Sequence, residues 1–200
     1  DEAVFNFAPF DADVEKLTAM GMSLFQLPYA YVVGGHEKKF QQTFGPFGLN
    51  KISDEFRRKF VNAMRVFGNH LVKKGWMDKF NHNLWDEPYP RHYKQLGELA
   101  RLMKQAHPKF RPSSFVTAES VKSDLAGLIE EAITHAGGIR PDIISLQRKR
   151  GDIVSVYNPF DVYAVTKRPE GVRGFLWWSY RVGIDRIYQW CVGPFRQLRS

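Results

Sequence analysis

Hydrophobic residues recur at helical spacing in several stretches of the chain. In each stretch the apolar positions return every three or four residues, which is typical of an amphipathic helix. Ser53 begins the longest of these patterns as an N-cap residue, and Gly75 ends it. The predicted helices cover 11–21, 53–74, 93–106, 123–135 and 169–182.

Short apolar or alternating runs lie between these helices and predict strands. The predicted strands are 3–7, 23–27, 79–84, 114–117, 142–146, 152–157 and 184–192, and a loop rich in Tyr, Gly and Phe covers 29–50. Strands that alternate with helices predict an α/β fold built on a parallel sheet. The count of six or seven strands falls short of the eight in a full barrel of about 250 residues.

The composition predicts one well-packed domain. The chain has 200 residues, of which 44% are hydrophobic and 14% aromatic. Cys191 is the single cysteine, so an internal disulfide is excluded and the compartment is left open. No apolar run approaches the roughly 20 residues of a bilayer span, so no membrane partner is expected. The chain begins at Asp1 without a methionine or a signal-peptide pattern, and we interpret it as a processed product or a fragment.

The net charge of +8 is spread along the chain in short clusters, of which 148–150 is the densest. No stretch has the composition of a platform for single-stranded nucleic acid, and no zinc-finger or RNA-recognition signature is present. Solvated helix faces explain most of the positive charge. Nucleic acid is therefore not the expected partner, although a basic module that binds a polyanion stays an alternative.

Two adjacent acids, Asp86 and Glu87, stand between Trp85 and Pro88, directly after the predicted strand over 79–84. Carboxylates at the end of a strand and before a helix occupy the position where a (β/α) barrel holds its catalytic groups. Like charges push each other's pKa apart, so such a pair can supply one protonated and one charged carboxyl. The alternative is a solvated acidic turn that the proline makes rigid.

Four blocks of residues match a known family in order. The blocks are Phe25-Gln26-Leu27-Pro28, then Leu84-Trp85-Asp86-Glu87-Pro88 with His92-Tyr93, then Lys149-Arg150-Gly151-Asp152 with Tyr157-Asn158-Pro159, and finally Trp177-Trp178 through Ile184-Asp185 with Tyr188-Gln189-Trp190. Together they resemble the catalytic domain of glycoside hydrolase family 123 and its related barrel domains, from about its third or fourth strand onward. The resemblance implies an α/β fold, a (β/α) barrel of the TIM type that is incomplete or a C-terminal portion, with a single catalytic domain over 1–200.

The resemblance also implies a chemistry. Family 123 enzymes cleave β-linked N-acetylgalactosaminides by substrate-assisted catalysis, in which the acetamido oxygen attacks the anomeric carbon and the protein supplies no nucleophile. By this resemblance Glu87 is the general acid/base, with a pKa that burial and Asp86 raise. Asp86 would orient the acetamido group and offset charge on the forming oxazolinium.

Residues near the predicted strand ends are candidates to bind a sugar, since sugar C–H faces stack on aromatic rings. The predicted substrate-binding residues are Tyr29, Tyr31, Trp85, Tyr157, Asn158 and Trp190. Asn158 could instead cap the turn into Pro159. For Trp177 and Trp178, on a predicted helix, core packing is the favoured interpretation.

No cofactor is expected, and the scattered histidines do not have the spacing of a metal site. The expected partner is a glycan substrate. Because an incomplete barrel leaves a sheet edge open, a second copy of the chain or a missing upstream segment is also expected. A non-catalytic carbohydrate-binding relic of the fold stays an alternative to the hydrolase.

Overall fold

A computed structural model describes residues 3–27, 47–48, 51–157 and 169–188, and the chain divides into two compact units, Asp1–Ser114 and Phe115–Ser200. The helices are α1 (Ala8–Ala19), α2 (Asp54–Lys74), α3 (Tyr93–Ala106), α4 (Pro141–Arg150) and α5 (Pro169–Val182). The strands are β1 (Phe25–Gln26), β2 (Phe47–Gly48), β3 (Lys51–Ile52), β4 (Phe80–Asp86), β5 (Pro112–Phe115), β6 (Glu131–His135), β7 (Ser155–Tyr157) and β8 (Arg186–Tyr188). Short 3-10 turns cover Met77–Lys79, Pro90–His92, Ala118–Lys122 and Ala136–Gly138.

The longest helix, α2, begins and ends where the sequence predicts. The Ser53 hydroxyl accepts a hydrogen bond from the Phe56 backbone N–H at 3.1 Å, which satisfies one of the free donors of the first turn. Gly75 ends the helix in the left-handed conformation, with φ 69°. The buried face of α2 is made by Phe56, Phe60, Val61, Ala63, Met64, Phe67, Gly68 and Leu71.

A glycine in α2 allows a close approach by an aromatic ring. A Cβ atom at Gly68 would lie 2.9 Å from the ring of Phe110, closer than such contacts occur. Phe110 is fully buried and lies in the segment between α3 and β5. The missing side chain at position 68 therefore lets this segment pack directly on the helix.

In the first unit, β1 lies parallel to β4, and β5 is the other neighbour of β4. Phe25 is paired with Phe80, and the Leu27 N–H donates to the Asn81 carbonyl at 2.9 Å. The side chains of β4 are buried on both faces from Phe80 to Trp85. A strand that is covered on both faces is typical of a parallel sheet. The short strands β2 and β3 form a separate antiparallel pair.

In the second unit, β6, β7 and β8 are parallel neighbours. Their register places His135 beside Tyr157 and Tyr157 beside Tyr188, so the three strands end at one level. Helix α4 buries Ile143, Ile144 and Gln147 and ends at Gly151 in the left-handed conformation, with φ 76°.

The α/β fold is confirmed, but the TIM-type barrel is wrong. Of the eight described strands, six are parallel: β1, β4 and β5, of which only the last residue, Phe115, belongs to the second unit, and then β6, β7 and β8. Among the described strands, β1 has β4 as its single neighbour and β8 has β7 as its single neighbour, so the strand order does not close into a ring. Alternating strands and helices are common to every parallel α/β architecture, and such a pattern does not distinguish a closed sheet from an open one. Whether 1–200 acts as one catalytic domain stays a prediction.

Three predicted elements are also wrong. Residues 3–7 form no regular structure, the predicted helix over 123–135 is a series of turns followed by β6, and the predicted strand over 142–146 is part of α4. Gly127 has a φ of 75°, which breaks the helix pattern before β6. Pro141 stands in the first turn of α4 and basic residues fill its last turn, and both features favour a helix over a short strand.

Candidate functional site

The adjacent acids stand at the carboxyl end of β4. Asp86 is the last residue of the strand and is half-buried, and Glu87 follows with an exposed side chain. The backbone of Glu87 has a φ of 48°, in the left-handed region that favours glycine. A residue before a proline ordinarily adopts an extended conformation, so Glu87 is held in an uncommon one. The side chain is thereby turned out at the strand end rather than continuing the alternation of β4.

The segment after the acids is tied back to the strand by aromatic packing. Trp85 is 3% exposed, and its ring stacks on His92 with a centroid distance of 5.0 Å and an interplanar angle of 18°. The Trp85 carbonyl accepts a hydrogen bond from the Ser114 hydroxyl at 2.7 Å. This packing holds the 3-10 turn before α3 against the end of β4 and so restricts the loop that carries Glu87.

The imidazole of His92 lies at the centre of this loop. Its Nδ1 is 3.1 Å from the Tyr89 backbone N–H, and its Nε2 is 3.2 Å from the Arg91 Nε. A neutral imidazole has one acceptor nitrogen, so only one of these two contacts is a hydrogen bond at a time. Because the backbone N–H of Tyr89 and the Nε–H of Arg91 are both obligatory donors, they compete for that acceptor nitrogen.

Two exposed side chains, those of Tyr89 and Arg91, follow the acids closely in the chain. The guanidinium of Arg91 lies 4.8 Å from the centroid of the Tyr89 ring, a cation–π geometry. Both side chains are exposed. An aromatic ring paired with a guanidinium can contact a polar ligand that carries apolar C–H faces.

Strand β4, which ends at Asp86, carries three buried polar side chains. Asn81, His82 and Asn83 are all buried, and the Arg111 N–H donates to the His82 Nδ1 at 2.8 Å. His82 also packs edge-on against Phe110, with ring centroids 5.0 Å apart. His82 is therefore a packed core residue.

A second group of side chains gathers at the strand ends of the second unit. Tyr157, the last residue of β7, is half-buried and meets the rings of Phe115 and His135 edge-on, each at a centroid distance of 5.3 Å. Phe115 also meets the ring of Tyr188 at 5.8 Å. The sequence pointed to Tyr157 and missed Phe115 and His135, although both stand at the last position of a strand.

The buried carboxylate of Glu131 is hydrogen-bonded to Tyr188, one of these aromatic residues. Glu131, at the start of β6, is 1% exposed and accepts hydrogen bonds from the hydroxyls of Ser155 at 2.6 Å and Tyr188 at 2.9 Å. The Arg186 Nη1 donates to its other oxygen at 2.9 Å. Burial, and then the neighbouring charge of Glu131, raise the pKa of Tyr188 well above its usual range. The sequence pattern missed this network because its members come from three strands.

The Glu131 network links the three strands of the second unit and so stabilises their arrangement. Three of its four members are the first residues of their strands, namely Glu131 of β6, Ser155 of β7 and Arg186 of β8, whereas Tyr188 is the last residue of β8. In parallel α/β proteins the amino ends of the strands ordinarily serve stability, and the carboxyl ends serve function. Glu131 thus joins three strands through a paired and hydrogen-bonded charge.

Four of the predicted substrate-binding residues, Tyr29, Tyr31, Asn158 and Trp190, lie outside the described residues. Asp86, Glu87 and Trp85 lie together in the first unit, and Tyr157 lies in the second. Trp85 presents its ring to His92 in this structure, so its proposed stacking on a sugar stays a prediction. Glu87 is exposed, so the burial that the sequence predicted for it is absent here.

The described part of the chain holds no group of three or more His, Cys, Asp or Glu residues able to share a metal ion. None of the described helices has the length and apolar character needed to cross a bilayer.

Comparison with known proteins supports a distant relationship in fold to a family of known structure. No protein-family model matches the chain, and no curated protein matches it. Among solved structures, the chain is similar to a family 123 glycoside hydrolase from Clostridium perfringens, with a TM-score of 0.51 and 14% sequence identity. The similarity covers 69% of this chain and 26% of the other, so the chain spans about a quarter of that protein's length. At this identity the likeness concerns the fold alone, and it agrees with the sequence resemblance as a distant structural relationship.

Proposed function

We propose that this chain is a glycoside hydrolase-like protein that acts on N-acetylhexosaminide-containing glycans through Asp86 and Glu87, with retention by substrate-assisted catalysis. The observation that carries the proposal is the placement of Glu87. Its carboxyl is exposed at the carboxyl end of a parallel strand, and its backbone is held at a φ of 48°. Backbone strain at a non-glycine residue is concentrated at functional sites, where the rest of the structure over-determines it.

The two acids would divide the work on one sugar. Glu87 would donate a proton to the glycosidic oxygen, and Asp86 would accept a hydrogen bond from the acetamido N–H. Although the two acids are adjacent in sequence, their side chains have different environments, because Asp86 is half-buried and Glu87 is exposed. A sugar seated over the loop would exclude water from Glu87 and bring its carboxyl against the glycosidic oxygen.

The structural neighbour supports the class of substrate to test first. Its description concerns glycolipid glycan hydrolysis by a family 123 enzyme. Because this chain spans about a quarter of that protein, its substrate comes to this chain as a proposal. β-Linked N-acetylgalactosaminides are therefore the first substrates for assay.

A second candidate function is a carbohydrate-binding relic without catalysis. The exposure of Glu87 favours it, because a general acid is commonly protected from water to hold its proton at neutral pH. The aromatic group of Phe115, His135 and Tyr157 would still present ring faces to a sugar. Hydrolysis of a chromogenic β-N-acetylgalactosaminide separates this candidate from the hydrolase.

The substitution Glu87→Gln tests the proton donor. The amide keeps the shape of the carboxyl but cannot deliver a proton, so we expect hydrolysis of the chromogenic substrate to fall by about 10²–10⁴-fold. Asp78→Asn is the matched control, because Asp78 is an exposed acid in the 3-10 turn before β4. An unchanged rate in Glu87→Gln would remove Glu87 from the mechanism, and no hydrolysis by the unmodified chain would favour the relic.

The substitution Asp86→Asn tests the substrate-assisted route. We expect a larger loss on substrates that carry a 2-acetamido group than on those that carry a 2-hydroxyl, because Asp86 acts on the acetamido group. The measurement is kcat/KM for the two substrate types in Asp86→Asn and in the unmodified chain. A covalent glycosyl-enzyme trapped on either acid and found by mass spectrometry would refute this route.

A further inference from the structure

Helix α5 turns a row of large apolar side chains to the solvent. Leu176 is 48% exposed, Trp177 73% and Tyr180 82%. The opposite side of the helix carries Ser179, which is 3% exposed, and the half-buried Phe175. At about 100° per residue, the three exposed side chains fall within an arc of about 100°. Large apolar side chains exposed together mark an interaction surface rather than a solvated one.

Two arginines complete this surface. Arg173 falls within the arc and Arg181 at its edge, and both are exposed. They are the only charged residues among 173–182, the part of α5 whose side chains the structure describes. We call the surface made by Arg173, Leu176, Trp177, Tyr180 and Arg181 the α5 face.

We propose that the α5 face docks the second unit on an anionic lipid surface. Helices that lie in the plane of a membrane interface without spanning the bilayer combine Trp and Leu side chains with arginines or lysines, and the α5 face has both kinds of side chain. The apolar side chains would enter the boundary between headgroups and acyl chains, and the arginines would meet lipid phosphates. The sequence expectation of no membrane partner rested on the length of a span, which peripheral docking does not need.

Charge favours this occupant over two others. A second copy of the chain would bring Arg173 and Arg181 against the same positive charges, and like charges oppose such pairing. A single-stranded nucleic acid is bound along a basic groove lined with rings, whereas the α5 face is the surface of one helix with two arginines. An anionic lipid surface matches both the apolar and the cationic parts.

Sedimentation with vesicles tests the proposal. The full chain is mixed with phosphatidylcholine vesicles that contain or lack phosphatidylserine. We expect binding only with phosphatidylserine, weaker binding as salt is raised, and a blue shift of tryptophan emission when Trp177 leaves water. The site does not include Asp86 or Glu87, so the result is independent of the proposed hydrolase activity.

Exposed residues allow substitutions that leave the fold intact. We expect Arg173→Glu and Arg181→Glu each to weaken vesicle binding by at least about fivefold. Trp177→Ala should weaken it about tenfold and remove most of the emission shift. The matched controls are Arg65→Glu and Met20→Ala, an exposed cation and an exposed apolar residue of the first unit, and they should bind as the unmodified chain does.

The other occupants give distinct results. Failure to bind phosphatidylserine vesicles, or binding that the α5-face variants leave unchanged, overturns the proposal. Loss of oligonucleotide binding in the same variants, without vesicle binding, would assign the surface to nucleic acid. A monomer–dimer equilibrium that Trp177→Ala abolishes would show that a second copy covers it.

Discussion

At the residue scale, Glu87 holds a left-handed backbone conformation directly before a proline. Its φ of 48° is the one positive value at a non-glycine residue within the described ranges. The conformation costs about 1–2 kcal/mol for an L-residue with a Cβ atom. Packing fixes the chain on both sides of Glu87: Trp85 stacks on His92 before it, and Pro88 is buried after it. This packing can offset the conformational cost at Glu87.

Substitutions at position 87 should separate backbone strain from side-chain chemistry. We expect Glu87→Gly and Glu87→Asn to be at least as stable as the unmodified chain, since glycine and asparagine tolerate this region of φ. Glu87→Val should lower the free energy of unfolding by about 1–2 kcal/mol, because a β-branched residue resists it. The measurement is urea unfolding of the three variants. Equal stability of Glu87→Val and the unmodified chain would show that residue 87 is not left-handed in solution.

At the element scale, α1 is attached to α2 by a mixed aromatic and ionic contact. The ring of Phe7 stacks on His70 at a centroid distance of 3.7 Å. The His70 Nε2 lies 2.7 Å from Asp11, and the Lys74 Nζ lies 3.1 Å from the same carboxyl. Burial of Asp11 acts to raise its pKa, but the hydrogen bonds from His70 and Lys74 outweigh it and leave the pKa below its usual range.

This contact should make the docking of α1 depend on pH. A carboxyl whose pKa is lower in the folded chain stabilises the fold above its unfolded pKa of about 3.9, and the contribution is lost as pH falls through the folded pKa. We expect Asp11→Asn to lower the free energy of unfolding at neutral pH by about 1 kcal/mol and to reduce the loss of stability in acid. Denaturant titrations between neutral and acid pH measure both effects.

Asp13→Asn is the matched control for the ionic contact, because Asp13 is an exposed acid on the same helix. It should leave both the neutral stability and the acid profile unchanged. If Asp11→Asn and the unmodified chain lose stability in parallel as pH falls, the ionic part of the contact contributes nothing measurable to docking.

At the scale of the whole molecule, strands with a single neighbour favour self-association of the chain. Within the described ranges β1 and β8 each have one strand neighbour. If solvent can reach the free edge of β1 or of β8, that edge exposes backbone donors and acceptors. Such an edge promotes pairing with another chain. We therefore expect the 200-residue chain to self-associate or to unfold with low cooperativity.

Sedimentation velocity at micromolar concentration, combined with a thermal melt, measures this. Association through strand edges should persist in Trp177→Ala, which distinguishes it from pairing through the α5 face. A strictly monomeric chain with one sharp melting transition would contradict the expectation and show that the strand edges are protected within the chain.

The amino-acid sequence by itself determined the elements whose signals are local. The bounds of α2 follow from a serine cap, a hydrophobic face and a terminal glycine, and those of α3 and α5 from long periodic patterns, all of which act within a few residues. The place of Asp86 and Glu87 at a strand end was predicted for the same reason. Short segments were not determined in this way: 131–135 and 142–146 have apolar runs that suit a helix or a strand equally.

Only the tertiary structure decided what depends on contacts between distant residues. Closure of a sheet is a property of strand order, which no local pattern encodes, so the predicted barrel gave way to two sets of three parallel strands. The Glu131 network needed the register of β6, β7 and β8, and the burial of Trp85 needed its contact with His92. The exposure of Trp177 reversed the expectation of core packing, because burial is decided by which elements pack against a helix and not by the helix's own sequence.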